Sequence, residues 1–218
     1  MSQILTLVGI STLQTLEMVL FSTLFSMVIG FPLGVLLYST NSMGITPRPI
    51  LNQVLSRIVN VLRSFPFIIL MILLFPLSRL ILGTSIGTTA TIIPLSIAAA
   101  PFVARLVETA LLEVDPGMIQ AARAMGSTNS QIIYKVLIPE SMPSLVSGIT
   151  LTIINLIGYS AMAGTIGGGG LGDIAIRYGY YRYQTDIMLV TIVILVLLVQ
   201  ILQGIGMMVS RKLDRRQH

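Results

Sequence analysis

Few side chains in this sequence could do chemistry. Arg105 and Glu108 lie three residues apart in an otherwise uncharged run, so on a helix they share a face and can pair. An ionisable group inside a membrane span is costly and marks function by default. The preferred reading is a structural ion pair near the inner mouth of a span; a ligand for a charged solute is the competing one. Further along, Thr150, Thr152, Asn155, Tyr159 and Ser160 place neutral polar groups in an apolar run. A path lined this way holds no fixed charge to trap an ion. It suits a net-neutral solute with one positive and one negative group, such as a neutral amino acid. Met162 lies two residues beyond Ser160. Its thioether is apolar and adaptable, so a symmetric pair could close a gate that yields to a solute. A lipid-facing or core methionine is the alternative, since the chain holds 12 Met.

Other chemistries are excluded by residue type. The one histidine is His218 and there is no cysteine, so no metal site and no thiolate site is credible. No GxxxxGK[ST] loop and no acidic cluster occurs, so the chain does not bind and hydrolyse ATP by the usual route. No cofactor is expected in this chain, and no enzyme site assembles from a nucleophile, a base and an orienting group.

The elements that hold these residues follow from composition. Only 10% of residues are charged and 54% are hydrophobic, against about 25% charged in soluble domains. The expected class is an all-α membrane protein. Five apolar runs approach the length that crosses hydrocarbon: 13–39, 58–82, 88–112, 143–166 and 186–209. The second carries Arg63 and Arg79 near its ends with 15 uncharged residues between them, only about 22 Å of helix, so both side chains would snorkel. The net charge of +5 gathers at segment ends, which argues for membrane orientation rather than nucleic-acid binding. With the C-terminus in the cytoplasm, Arg48, Arg57, Arg63, Arg123, Lys135, Arg211, Lys212, Arg215 and Arg216 are inside. Only Arg79, Arg177 and Arg182 are outside. The N-terminus is therefore expected outside. It has no basic lead, and its apolar run is too long for a cleavable signal.

Glycines punctuate the runs. Gly30 with Gly34, and Gly164 with Gly168, could let helices pack closely or could merely kink them. Residues 83–88 form an outer turn. Residues 167–186 form a long outer loop whose Tyr178, Tyr180, Tyr181 and Tyr183 suit the membrane interface. Gly167–Gly170 either gives backbone freedom or forms a loose loop. Five helices are few to enclose a solute path, and a two-fold pair would supply ten.

The inner connection 114–142 uses about 28 residues where a few suffice, which suggests function. Asp115 can cap a helix with Pro116 at its first position. Gly126 can end that helix in a left-handed conformation. "TNSQ" at 128–131 is a capping box opening a second helix, which Pro139 is expected to stop. Ala121 and Ala122 leave a flat face that another surface could approach.

The stretch "QAARAMGSTNSQIIYKVLIP" resembles the EAA motif of ABC importer permeases. Gln120, Ala121, Ala122, Gly126, Val136, Ile138 and Pro139 stand at the motif's spacing, with Gln120 where the family usually has Glu. Residues 60–87, 94–114 and 158–180 are similar to methionine-importer permeases, and the resemblance covers about 13–205. It implies the type I ABC importer permease fold: five transmembrane helices with a cytoplasmic coupling-helix loop that docks on a separate ATPase. It implies a second copy of the chain, two ATP-binding subunits that hold ATP and Mg, and an extracytoplasmic substrate-binding protein, all at a bacterial cytoplasmic membrane. The fourth span, with Asn155, Tyr159, Ser160 and Met162, would line the path and gate. The implied cargo is D- or L-methionine; another small amino acid or a peptide is the alternative. A passive facilitator is the rival class, and it leaves the inner elbow unexplained.

Overall fold

A computed structural model describes residues 2–214; Arg215, Arg216 and His218 lie outside the described residues. All regular structure among them is helical. The elements are α1 (Ser2–Thr40), α2 (Pro49–Ser64), α3 (Phe67–Leu82), α4 (Thr88–Leu112), α5 (Pro116–Ala124), α6 (Asn129–Ile132), α7 (Ile138–Gly164), α8 (Gly170–Ile174) and α9 (Thr185–Leu213). Two π-helical segments, Ile133–Leu137 and Ala175–Tyr180, join α6 to α7 and extend α8.

The core forms around α4. Of its most apolar window 67% is buried, against 11% for α9. Thus α4 is the helix the others pack around, while α9 leaves most of its apolar surface uncovered by the chain. Glycine lets α1 reach it. A Cβ on Gly30 would lie 2.6 Å from the Ala100 carbonyl and 2.7 Å from Val103 Cβ, and one on Gly34 would press on Ala104 and Val107. The pair therefore serves close packing within the chain. α9 leans on α7 through Ser147 and Ser210, whose hydroxyls are 3.0 Å apart, and Ser210 also donates to the Pro143 carbonyl at 2.9 Å.

Three expectations need correction. The run 58–82 is not one helix: α2 and α3 meet at 102°. Phe65 precedes a proline and is extended (φ −69°, ψ 131°), because the Pro66 ring disfavours helical geometry there. Arg63 belongs to α2, with its guanidinium 6.0 Å from the Phe102 ring, so its setting is not the end of a short span. Next, Pro139 does not stop a helix. Residues Asn129–Gly164 run as one 36-residue rod. The Ile138 N–H bonds the Ile133 carbonyl in the π segment, so the donor that proline lacks falls where the register changes. Finally, the outer loop 167–186 is largely helical, as α8 and the π segment after it. Of its aromatics, Tyr180, Tyr181 and Tyr183 are exposed, while Tyr178 packs beside Val8 and under the Arg182 guanidinium, 4.7 Å from its ring.

The glycines of that turn are not loose. Gly167, Gly169 and Gly170 have φ of 92°, 77° and 79°, a region other residues avoid. The Gly170 and Leu171 N–H groups, the first donors of α8, bond Gln14 Oε1 at 3.0 Å and Thr15 Oγ1 at 2.9 Å on α1. The sequence reading passed over Gln14 and Thr15. Their signal was two adjacent polar side chains near the outer end of an apolar run.

Candidate coupling elbow and path-lining face

The elbow is built by local signals. Asp115 Oδ1 accepts from the Gly117 N–H at 2.7 Å and caps α5. At the other end the Gly126 N–H reaches Arg123 O at 2.9 Å and the Ser127 N–H reaches Ala122 O at 3.1 Å. With Gly126 at φ 80°, these two bonds make a Schellman cap. Thr128 and Gln131 then exchange both bonds of a capping box, at 3.3 and 2.8 Å.

Packing divides the motif residues into two sets. Ala122 is buried with Tyr38, Val107, Leu111 and Val114, and Val136 and Ile138 pack against the same cluster. They hold the elbow to the inner ends of α1 and α4. Arg123 adds a tie, donating to Ile45 O at 2.9 Å. Gln120, Ala121, Gly126 and Pro139 are exposed. The flat face expected from both alanines is therefore presented by Ala121 alone. Met118 and Met125, three before and four after it, are 39% and 80% exposed, and Tyr134 of the π segment is 71% exposed. Large apolar side chains this open along a short polar elbow suggest a partner surface, and sequence reasoning had not picked them out.

The second assembly is the uncovered face of α7. Leu151, Asn155, Gly158 and Met162 follow at helical spacing and are all exposed, Met162 at 48%. Asn155 has no side-chain hydrogen bond among the described residues. Tyr159 borders this face, stacked on Phe67 with ring centroids 4.1 Å apart and planes within 5°. Ser160 does not join them: it is buried and donates to Ile157 O at 2.8 Å. Thr150 and Thr152 likewise satisfy themselves on the carbonyls of Val146 and Gly148. The row of polar groups in sequence thus reduces to one free amide on the open face, because hydroxyls on a helix back-bond to the preceding turn.

Arg105 and Glu108 do pair, at 2.6 Å, with Glu108 buried. The other arm of Arg105 donates to Asn60 Oδ1 on α2 at 2.9 Å. The ion pair thereby bolts α4 to α2. At the same inner end Ser144 of α7 donates to Glu113. No group of three or more His, Cys, Asp or Glu side chains suited to a metal occurs among the described residues.

Residues 30–215 match the family described as the binding-protein-dependent transport system inner membrane component. The chain belongs to this family. It is thus a transport component of the inner membrane rather than an enzyme, and its bundle with an inner elbow is the type I ABC importer permease fold. A relative from Vibrio cholerae serotype O1, named a probable D-methionine transport system permease protein MetI, is 52% identical over 206 residues, 94% of this chain and 92% of the relative. The methionine import system permease protein MetP of Bacillus subtilis is 47% identical over 181 residues, 83% of this chain and 82% of its own. A solved chain, from inward-facing conformations of the MetNI methionine ABC transporter, superposes with a TM-score of 0.97 at 47% identity, covering 99% of this chain and 100% of that one.

Proposed function

We propose that the chain is the permease subunit of an ATP-driven methionine importer, working as a two-fold pair. Two cytoplasmic ATPase subunits, which hold ATP and Mg, dock on the elbow. An extracytoplasmic binding protein delivers D- or L-methionine to the outer face. The N-terminus lies outside and the C-terminus inside, as the distribution of Lys and Arg favours. The cargo reading rests on the relatives' names together with an uncovered α7 face that carries a free amide and a thioether but no charge.

One observation carries the mechanism. The rod Asn129–Gly164 begins at the capping box beside α5 and passes Met162 two residues before its end. At 1.5 Å per residue it is about 54 Å long. Displacing the elbow therefore displaces the gate through one continuous helix, whose softest points are the π segment and Pro143, where helical hydrogen bonding is weakest. Gln120, Ala121, Gly126 and Pro139 meet the ATPase, while Ala122, Val136 and Ile138 pass the movement into the bundle. Asn155, Tyr159 and Met162 of each copy line the path, and Ser160 keeps the rod's buried side. Swinging such a two-state path from about 1:99 to 99:1 takes about 5.5 kcal/mol of differential nucleotide binding.

Ala121→Trp tests the docking. The site is exposed, so the fold tolerates it; methionine uptake and co-purification of the ATPase should both be lost. Normal uptake would reject the elbow as the point of coupling. Met162→Ala tests the gate, and should raise methionine leak through the purified complex in vesicles several-fold. Leak and uptake kinetics indistinguishable from the parent would remove Met162 from the path.

A further inference from the structure

The proposed coupling and path residues all lie outside helix α2, which nevertheless carries an exposed apolar surface. Ile50, Val54, Ile58, Val61 and Phe65 fall on one arc and are 42–80% exposed. Its opposite flank is anchored. Val59 is buried against Leu37 and Ala104, and Asn52 Nδ2 donates to Leu37 O at 2.8 Å. The apolar arc therefore points away from the chain's own bundle by construction. The 102° bend at Phe65–Pro66 takes α2 out of line with α3, so this arc is not the side of an upright span.

Charge indicates the occupant. Arg57 flanks the arc and Arg48 precedes the helix, and neither guanidinium has a partner among the described residues. From residue 18 to residue 107 the sequence contains no Asp or Glu, and Glu108, the carboxylate that α4 brings near α2, is already held by Arg105. A second copy docking through the same arc would bring both copies' arginines into one interface to which α2 contributes no acidic side chain. A phospholipid with an anionic headgroup answers both features at once, giving acyl chains to the arc and phosphate oxygens to the arginines.

We propose that α2 lies in the membrane interface as a lipid-binding helix, with its arc in hydrocarbon and Arg48 and Arg57 on the phosphates of anionic lipid. That this leaflet is the inner one follows from the orientation proposed above; the lipid binding does not depend on it, and the test reads lipid alone. The chain lacks cysteine, so single cysteines can be spin-labelled in the full-length protein. In vesicles of phosphatidylcholine and phosphatidylglycerol, a label at Ile58→Cys should be relaxed by oxygen and shielded from a water-soluble nickel chelate. A label at Gln53→Cys, on the polar flank, should behave in the opposite way. Phosphatidylglycerol retained through purification should fall about fivefold for each arginine removed in R48Q and R57Q, and R48K/R57K should retain it. Unchanged retention in R48Q/R57Q would overturn the proposal. So would nickel access at Ile58, or dipolar broadening there between two copies, which would mark the arc as a protein interface.

Discussion

Gly126 and Gly172 each help end or begin a helix at one side of the bundle, and their surroundings are opposite. Around Gly126, at the inner elbow, an added Cβ would meet nothing within 4 Å; the residue is there for its φ of 80°. Gly172, in the outer turn, has an ordinary φ, but an added Cβ would land on the carbonyl and Cα of Ala161. Gly164 answers it from the other side, meeting the backbone of Gly172 and Asp173. The inner elbow is a surface element made by hydrogen-bonded caps. The outer turn is an interior element made by backbone lying on backbone. This fits a bundle that presents its inner end to partners and seals its outer end against itself.

Adding the same methyl group at the two sites breaks or sharpens this contrast. Gly172→Ala carries the larger expected effect. The obstructing atoms are backbone of the neighbouring helix and cannot swing aside, so α7 and α8 would have to separate. Their separation would also pull the Gly170 and Leu171 N–H groups off Gln14 and Thr15. A cost of about 3 kcal/mol or more is expected. The measurement is the thermal midpoint and the monodisperse yield of the purified protein, both of which should fall sharply. A midpoint equal to the parent's would mean that the two helices are less tightly apposed than the contact around Ala161 requires.

The contrast also explains what could be read in the sequence. The elbow was legible because every device in it is local: Asp115 before Pro116, Gly126 after a short helix, Thr128 three residues before Gln131. The division of Ala121 from Ala122 was not, since it depends on where Tyr38 and Leu111 come to lie. The bend between α2 and α3 did leave marks, since an amphipathic stretch gives way to an apolar one and Phe65–Pro66 sits at the join; an apolar run counted from residue 58 passed over both. Pro139 misled in the other direction: a π segment absorbed it, a backbone adjustment that residue types do not announce. The outer turn was the least legible part. Four consecutive glycines read as freedom, and only the positions of α1 and α7 reveal them as contact.

Gly126→Ala is the gentler half of the comparison. Alanine must adopt the left-handed conformation, at about 1–2 kcal/mol, partly offset because its unfolded chain has less entropy to lose, by about 0.4–1 kcal/mol. A net loss near 1 kcal/mol should lower the thermal midpoint by only a few degrees. The Schellman bonds from Gly126 to Arg123 and from Ser127 to Ala122 can persist, so the elbow keeps its shape and its ATPase. Uptake should remain within about twofold of the parent, while Ala121→Trp abolishes it. If instead Gly126→Ala stopped uptake with the fold intact, close backbone approach by a partner at Gly126 would be the reason. The open space around this glycine would then be a seat that the partner fills.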